Sequence, residues 1–344
     1  MLLFYGSGSE QLTKQLAEKV TIPLAKVDFV RFGDSELKPR LLSDVRGQDC
    51  IIIASTSNPV NERYMEFFLL VDALRRSACG RITAIMPYFG YARQNQQHLP
   101  GEPVSAMLMA KFIETVGVDE FVSIDLHEEQ ITGFFTIPVV HLSVTPILSR
   151  AVGEEILRNS SQSDHTAQGR IIVISPDQGG VERTRRFRDA LAEALTRHPE
   201  GGTTEGSIQI DSSATPQNDK IFVVDAEIGI VEKLRNLEGI HETKMVEISG
   251  NIAGKIVVVP DDVIVSGGTI IHAAEAAKAK GAKEVYVAAT HADFIEGTVD
   301  KLQNSPVEKV FVADTIEIKD EWKFDRLEVV SVSSVLVDHI RKLL

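Results

Sequence analysis

The chain has 344 residues, with 36 Lys and Arg against 49 Asp and Glu and a formal net charge of −13. That balance argues against a nucleic-acid binder, whose hold on phosphate backbones needs clustered cations, so any phosphate site must be local. The length exceeds one ordinary core and predicts two domains, while the lack of a long apolar run or a basic, apolar leader predicts a cytoplasmic protein without a membrane span.

In chain order, the first strong pattern is the apolar run 50–53, which passes into Ser55, Thr56 and Ser57. A helix over 65–77, then Gly80, then a strand over 82–87 complete a βαβ unit. Cys50 and Cys79 lie beside these apolar runs with no metal-ligand spacing, and they read as structural thiols in a reducing compartment. The next strand ends in Asp125-Leu126-His127, which places an imidazole at the sheet edge. A divalent cation bridging polyphosphate oxygens could use it there, and a structural hydrogen bond is the plainer reading of the same residue.

Polar residues 159–169 and the Gly-, Ser- and Thr-rich stretch 198–220 read as solvated inserts, which leaves His165 and His198 without a role. Between them, strand 172–175 leads to Asp177, Gly179 and Gly180, then to a helix with Arg183, Arg185 and Arg186 near its start. Cations are poorly placed at that end of a helix, and an anionic ligand would account for them. The most informative stretch comes last: apolar residues 256–259, Asp261 and Asp262, a loop of Ser266, Gly267, Gly268 and Thr269, and an Ala-rich helix over 271–280. Adjacent carboxylates accept hydrogen bonds from a vicinal diol, and a glycine loop opening a helix turns backbone N–H groups toward a phosphate. The competing reading is a tight turn with Ser266 or Thr269 as a helix cap.

Strand 256–259, helix 271–280, Gly281 and strand 285–290 repeat the plan of residues 50–87. Continuous apolar strands separated by helices indicate parallel sheets, so the fold expected is α/β, with two related doubly wound domains, residues 1–147 and 148–344. Ligands in such sheets sit beyond the carboxyl ends of the strands, where these polar loops fall.

Taken together, the motifs resemble the ribose-phosphate pyrophosphokinase (phosphoribosyl pyrophosphate synthetase) family over nearly the whole chain. They are Gly6-Ser7-Gly8, Arg31-Phe32-Gly33-Asp34-Ser35-Glu36, Ser55-Thr56-Ser57-Asn58-Pro59-Val60-Asn61, Pro87-Tyr88-Phe89-Gly90-Tyr91-Ala92-Arg93-Gln94, Asp125-Leu126-His127, Ser175-Pro176-Asp177-Gln178-Gly179-Gly180 and the Asp261–Ile270 loop. The resemblance implies two phosphoribosyltransferase-like domains, an ATP-binding first half and a sugar-phosphate-binding second half. It also implies magnesium-dependent transfer of diphosphate from ATP to the anomeric hydroxyl of ribose 5-phosphate, giving AMP and phosphoribosyl pyrophosphate, in a homo-oligomer, expected to be a hexamer. Carried over by motif, Arg93 and Gln94 would contact ATP, and Phe32, Asp34 and Glu36 would receive adenine from a neighbouring subunit. His127 would join a magnesium shell, and Asp177 would hold a second magnesium and the sugar. Asp261 and Asp262 would take the ribose hydroxyls, and Ser266, Gly267, Gly268 and Thr269 the 5-phosphate.

Three departures stand out. The family's Lys-Arg-Arg run is replaced by Ala226-Glu227-Ile228-Gly229, leaving Lys233 and Arg235 as the nearest candidate catalytic cations, to be delivered by a mobile loop 226–236. Val265 stands where an acidic residue is common, and Asn95, Gln96 and Gln97 remove charge beside the nucleotide motif. Losing one transition-state cation costs on the order of 3 kcal/mol, about a hundredfold in rate. The same transfer to another phosphoribosyl acceptor such as ADP-ribose, and a non-catalytic regulatory homologue, are the alternatives these departures raise.

Overall fold

A computed structural model describes residues 1–160, 170–196, 223–234 and 245–344. Most of the two expected inserts, with His165 and His198, lies outside the described residues. The chain divides into two compact units, one made of residues 1–144, 313–319 and 331–344, the other of residues 145–312 and 320–330. The expected halves, 1–147 and 148–344, carry no such interleaving. Hydrophobic pattern marks strands and helices but not the unit to which a late segment returns.

The first unit comprises β1 (Leu2–Tyr5), α1 (Glu10–Val20), β2 (Val27–Arg31), β3 (Leu37–Leu41), β4 (Cys50–Ile53), α2 (Val60–Arg76), β5 (Ile82–Met86), α3 (Ser105–Val116), β6 (Glu120–Ile124) and β7 (Val139–Leu142). Strands β4, β5 and β6 are buried along their whole length, as their unbroken apolar sequence requires of a parallel sheet. The sheet runs β1-β4-β5-β6-β7, all parallel. On the other side of β1, Leu24 bridges Leu3 in parallel, so the chain reverses its direction of travel at β1. Strands β2 and β3 form a separate antiparallel hairpin.

The second unit comprises α4 (Thr145–Ser160), β8 (Arg170–Ser175), α5 (Val181–Thr196), β9 (Val223–Val224), β10 (Gly229–Leu234), β11 (Met245–Ile248), β12 (Ile256–Ile264), α6 (Gly268–Ala279), β13 (Glu284–Ala292), α7 (Thr298–Gln303), β14 (Lys309–Ala313) and β15 (Leu327–Val330); α8 (Ser333–Ile340) closes the chain within the first unit. The sheet order is β11-β10-β8-β12-β13-β14-β15. Strands β9 and β10 pair with β8 on one side and β12 pairs with it on the other, so the reversal here lies at β8. Such reversals open the crevices in which α/β sheets bind ligands.

Strand β12 is longer than residues 256–259. It continues through Asp261 and Asp262 because β13 keeps pairing beside it, up to Val263↔His291 and Ile264↔Ala292. Pro260, which has no N–H, lies beyond the last pair with β8, Val258↔Val173, where that side of β12 has become an edge. Part of the expected mobile loop is also a strand: residues 229–234 pair with β8 and, antiparallel, with β11. Among the described residues no helix is long and apolar enough to cross a membrane.

Helix α8 carries His339, buried to 7% exposure, with an Nε2 that has no hydrogen-bond partner. Burial holds its imidazole below the ordinary value of 6.5, with Glu120 opposing the shift and Lys342 adding to it. The unfolded chain therefore binds the proton first as pH falls, so the stability from neutral His339 is present above about pH 6.5 and is lost below it. The melting temperature should drop between pH 7.5 and 5.5 by less in His339→Leu than in the parent chain. Equal drops would show that another group sets the acid limb.

Candidate active site

In the second unit, parallel pairing of β8 and β12 brings two polar loops to one sheet edge. After β8, Ser175 Oγ donates to the Asp177 carbonyl at 2.6 Å, and Asp177 Oδ1 accepts the Gly180 N–H at 2.9 Å. A Cβ on Gly180 would stand 2.9 Å from Ser175 Oγ, so a side chain there would have to displace that hydroxyl. The Asp177 carboxylate thus closes the turn that leads into α5 while its residue remains exposed to solvent.

On β12, Asp262 is buried and Asp261 half-buried. Arg183 Nη1, in the first turn of α5, lies 3.0 Å from Asp261 Oδ1 and 3.1 Å from Asp262 Oδ1. Burial pushes the Asp261 carboxyl well above the ordinary carboxylate range, and the Asp262 charge adds to this, while Arg183 and the Asp262 N–H pull it down. The basic first turn of α5 has partners within the chain: Arg183 takes this carboxylate pair, and Arg185 and Arg186 approach Glu182 at 3.6 and 3.5 Å. Sequence reasoning assigned these cations to an anionic ligand and missed the pairing, because β12 lies some eighty positions downstream.

Beyond β12, Gly267 is the residue that begins α6, in the left-handed conformation with φ +73° and no side-chain cap bond. A residue without a side chain leaves the first-turn N–H groups of Gly268, Thr269 and Ile270 to an outside acceptor, and the helix dipole favours an anion there. The loop is fixed from behind, where Val265 O accepts Thr298 Oγ1 at 2.7 Å.

Strand β10 adds a further element. Gly229 is level with Ile174 and Ile230 with Ser175, so β10 runs past the carboxyl end of β8 by four residues, roughly 13 Å at the strand rise. The Lys233 backbone lies on that overhang, level with Val246 of β11. Arg235 lies outside the described residues. The segment before β10 is held by Arg188 Nη1, which donates to the Ala226 carbonyl.

In the first unit, adjacent strands β5 and β6 send the 87–94 loop and Asp125-Leu126-His127 to one edge. Tyr64 OH donates to Gly90 O at 2.7 Å, and Gly90 N donates to Thr56 Oγ1 at 2.7 Å. Arg93 and Gln94 are exposed, with Gln94 Oε1 accepting Ser105 Oγ at 2.6 Å, whereas Asn95 is buried. His127 is half-buried, and the preceding Leu126 N–H is accepted by His141 Nε2 at 2.9 Å. Phe32, Asp34 and Glu36 all lie exposed at the tip of the β2–β3 hairpin, where Asp34 Oδ1 accepts the Glu36 N–H at 3.2 Å. Among the described residues no three His, Cys, Asp or Glu side chains converge as a metal cage.

Comparison with known proteins matches both units. Residues 1–117 match the family model described as the N-terminal domain of ribose phosphate pyrophosphokinase, and residues 168–344 match the phosphoribosyl synthetase-associated domain. The chain is 34% identical to the ribose-phosphate pyrophosphokinase of Fusobacterium nucleatum, over 99% of this chain and 94% of that protein. It is 35% identical to the ribose-phosphate pyrophosphokinase of Vibrio parahaemolyticus, over 100% of this chain and 96% of that one. The crystal structure of phosphoribosylpyrophosphate synthetase from Mycobacterium smegmatis superposes with a TM-score of 0.81 at 29% identity, covering 99% of this chain and 98% of the other.

The 87–94 loop depends on Gly90, where a Cβ would collide with the Thr56 carbonyl, a backbone atom that cannot swing aside. Gly90→Ala should lower unfolding stability by about 2 kcal/mol or more, measured by denaturant titration. A change within about 0.5 kcal/mol would show that the loop relaxes freely.

Proposed function

We propose, because this chain belongs to the ribose-phosphate pyrophosphokinase family of transferases, that it transfers diphosphate from ATP to the anomeric hydroxyl of ribose 5-phosphate. The observation that carries the proposal is the adjacency, at one edge of β8 and β12, of the Asp177 turn, the Asp261–Asp262 pair and the uncapped start of α6. These are acceptors for a ribose diol beside donors for a phosphate. The anomeric oxygen attacks the β-phosphorus, the bond from that phosphorus to the oxygen bridging it to the α-phosphate breaks, and AMP leaves while the hydroxyl proton passes to solvent.

We assign the nucleotide to the first unit, with Arg93 and Gln94 on the polyphosphate side and the Phe32, Asp34 and Glu36 hairpin tip completing an adenine pocket in another copy. That assignment carries the homo-oligomer, a hexamer by family resemblance, with it. Exposure of all three hairpin residues, with Lys38 Nζ 5.2 Å from the Phe32 ring centroid, suits a surface that meets a ring system. Magnesium fits a site without a protein cage, since it keeps several waters and takes one or two protein groups alongside substrate phosphates. His127 would join one magnesium on the ATP phosphates and Asp177 would help hold a second beside the sugar; when bound, such ions would neutralise polyphosphate charge. In the second unit the overhanging strand puts the Lys233 backbone past the edge that presents the sugar loops, which supports Lys233 as the cation replacing the missing basic run.

The deciding assay measures AMP release from magnesium-ATP with ribose 5-phosphate and with ADP-ribose. AMP with ribose 5-phosphate supports the proposal, AMP with ADP-ribose alone reassigns the acceptor, and none with either favours a non-catalytic regulator. Asp262→Ala should weaken ribose 5-phosphate binding at least tenfold by calorimetry with little change for ATP. Lys233→Ala should lower turnover about a hundredfold, the scale of one lost transition-state charge; unchanged turnover would assign that task elsewhere.

A further inference from the structure

Asp261 and Asp262 are consecutive residues of strand β12, and consecutive strand residues project to opposite faces of a sheet. Yet one oxygen of each carboxylate lies within 3.1 Å of the same Arg183 nitrogen, Nη1. The two acids are therefore gathered by the cation and not by strand geometry. Two negative charges this close and this sheltered from water repel each other, and the cheapest relief is for one to take up a proton. A protonated carboxyl would be a donor as well as an acceptor, and it would offer a diol one acceptor fewer.

We propose that Arg183 is a positioning residue of the acceptor site: its guanidinium draws the Asp261 and Asp262 carboxylates together and favours their acceptor form for a vicinal diol. This rests on the sugar assignment above. Arg183 reaches the site from the first turn of α5, a helix entered from the turn that the Asp177–Gly180 hydrogen bond closes. A change in the Asp177 turn is thereby passed to the diol carboxylates through one side chain. Three observations agree: the shared nitrogen, the raised Asp261 carboxyl with Arg183 as the charge that opposes the shift, and the second anchor between the two acids, the Asp262 N–H to Asp261 Oδ1 bond at 2.8 Å. Among the described residues, the charged and titratable groups on the surrounding elements include Asp262 on β12 itself, Arg183, Glu182, Arg185 and Arg186 on α5, Asp177 on the turn after β8, Glu232 and Lys233 on the β10 overhang and, on β13, His291, level with Val263. The start of α6 contributes no acidic group.

The test is ribose 5-phosphate affinity by calorimetry from pH 5.5 to 9 for the full chain, Arg183→Met, Arg183→Gln, Arg183→Lys and Asp262→Ala, each checked for an unchanged circular dichroism spectrum. In Arg183→Met and Arg183→Gln the pH at which binding is half lost should rise by about one unit or more, the usual effect of removing an adjacent cation, with affinity recovering toward pH 9. Arg183→Lys, which keeps the charge, should stay close to the parent midpoint. His291 and Asp177 are common to parent and variants, so the comparison varies the side chain at position 183 alone. A parent-like midpoint in both neutral variants, or an equal loss at every pH, overturns the role of Arg183 while leaving the sugar site standing. If Asp262→Ala binds as tightly as the parent, the sugar assignment itself falls, and this inference with it.

Discussion

Parallel strand pairing is the constraint on which the rest of this structure depends. A parallel sheet delivers the carboxyl ends of all its strands to one edge, so residues as distant as Asp177 and Asp261 share an edge once β8 and β12 are in register. The same rule places the 87–94 loop beside Asp125-Leu126-His127 through β5 and β6. No long-range attraction between the polar groups is needed; the buried apolar strands supply the free energy, and the polar residues ride on their ends.

Register then decides finer matters. Because β13 pairs with β12 as far as Ile264, the two carboxylates sit on a strand braced by a neighbour and not on a loose turn. Because β10 begins level with the end of β8, its later residues have no choice but to overhang the edge. Precision of this kind suits a transferase, since phosphoryl transfer is governed by positioning and charge neutralisation more than by covalent chemistry.

Much of this was legible in the sequence, for physical reasons. Fully buried parallel strands need unbroken apolar runs, so residues 50–53, 82–86 and 256–259 declare themselves, and Gly267 marks a left-handed residue at a helix start. The helices read as 65–77 and 271–280 begin earlier, at Val60 and Gly268, because apolar periodicity starts later than the hydrogen-bonded first turn. What stayed hidden depends on pairing between distant segments. The partners of Arg183 lie on β12, the extension of β12 depends on β13, and the strand at 229–234 depends on β8 and β11, so no local pattern encodes them. His141 escaped for the same reason: its hydrogen bond to the Leu126 N–H follows from β6 and β7 lying side by side.

The interleaving of the two units has a consequence for how the polypeptide comes off the ribosome. Helix α8, at residues 333–340, belongs to the unit that begins at Met1, and Ser55 Oγ donates to the carbonyl of Thr315 within that same unit. The first unit to be synthesised is therefore the last to be completed: its sheet is made of residues 2–142, but the segments 313–319 and 331–344 that belong to the same unit emerge last. In that interval the surface that α8 covers stays wet and apolar, including the ground around Leu336 and Ile340, both fully buried once folded. Closing so wide a loop is slow, and partly built units with open apolar surface are prone to associate with one another. For this chain, faster completion of synthesis shortens the time that this surface stays open.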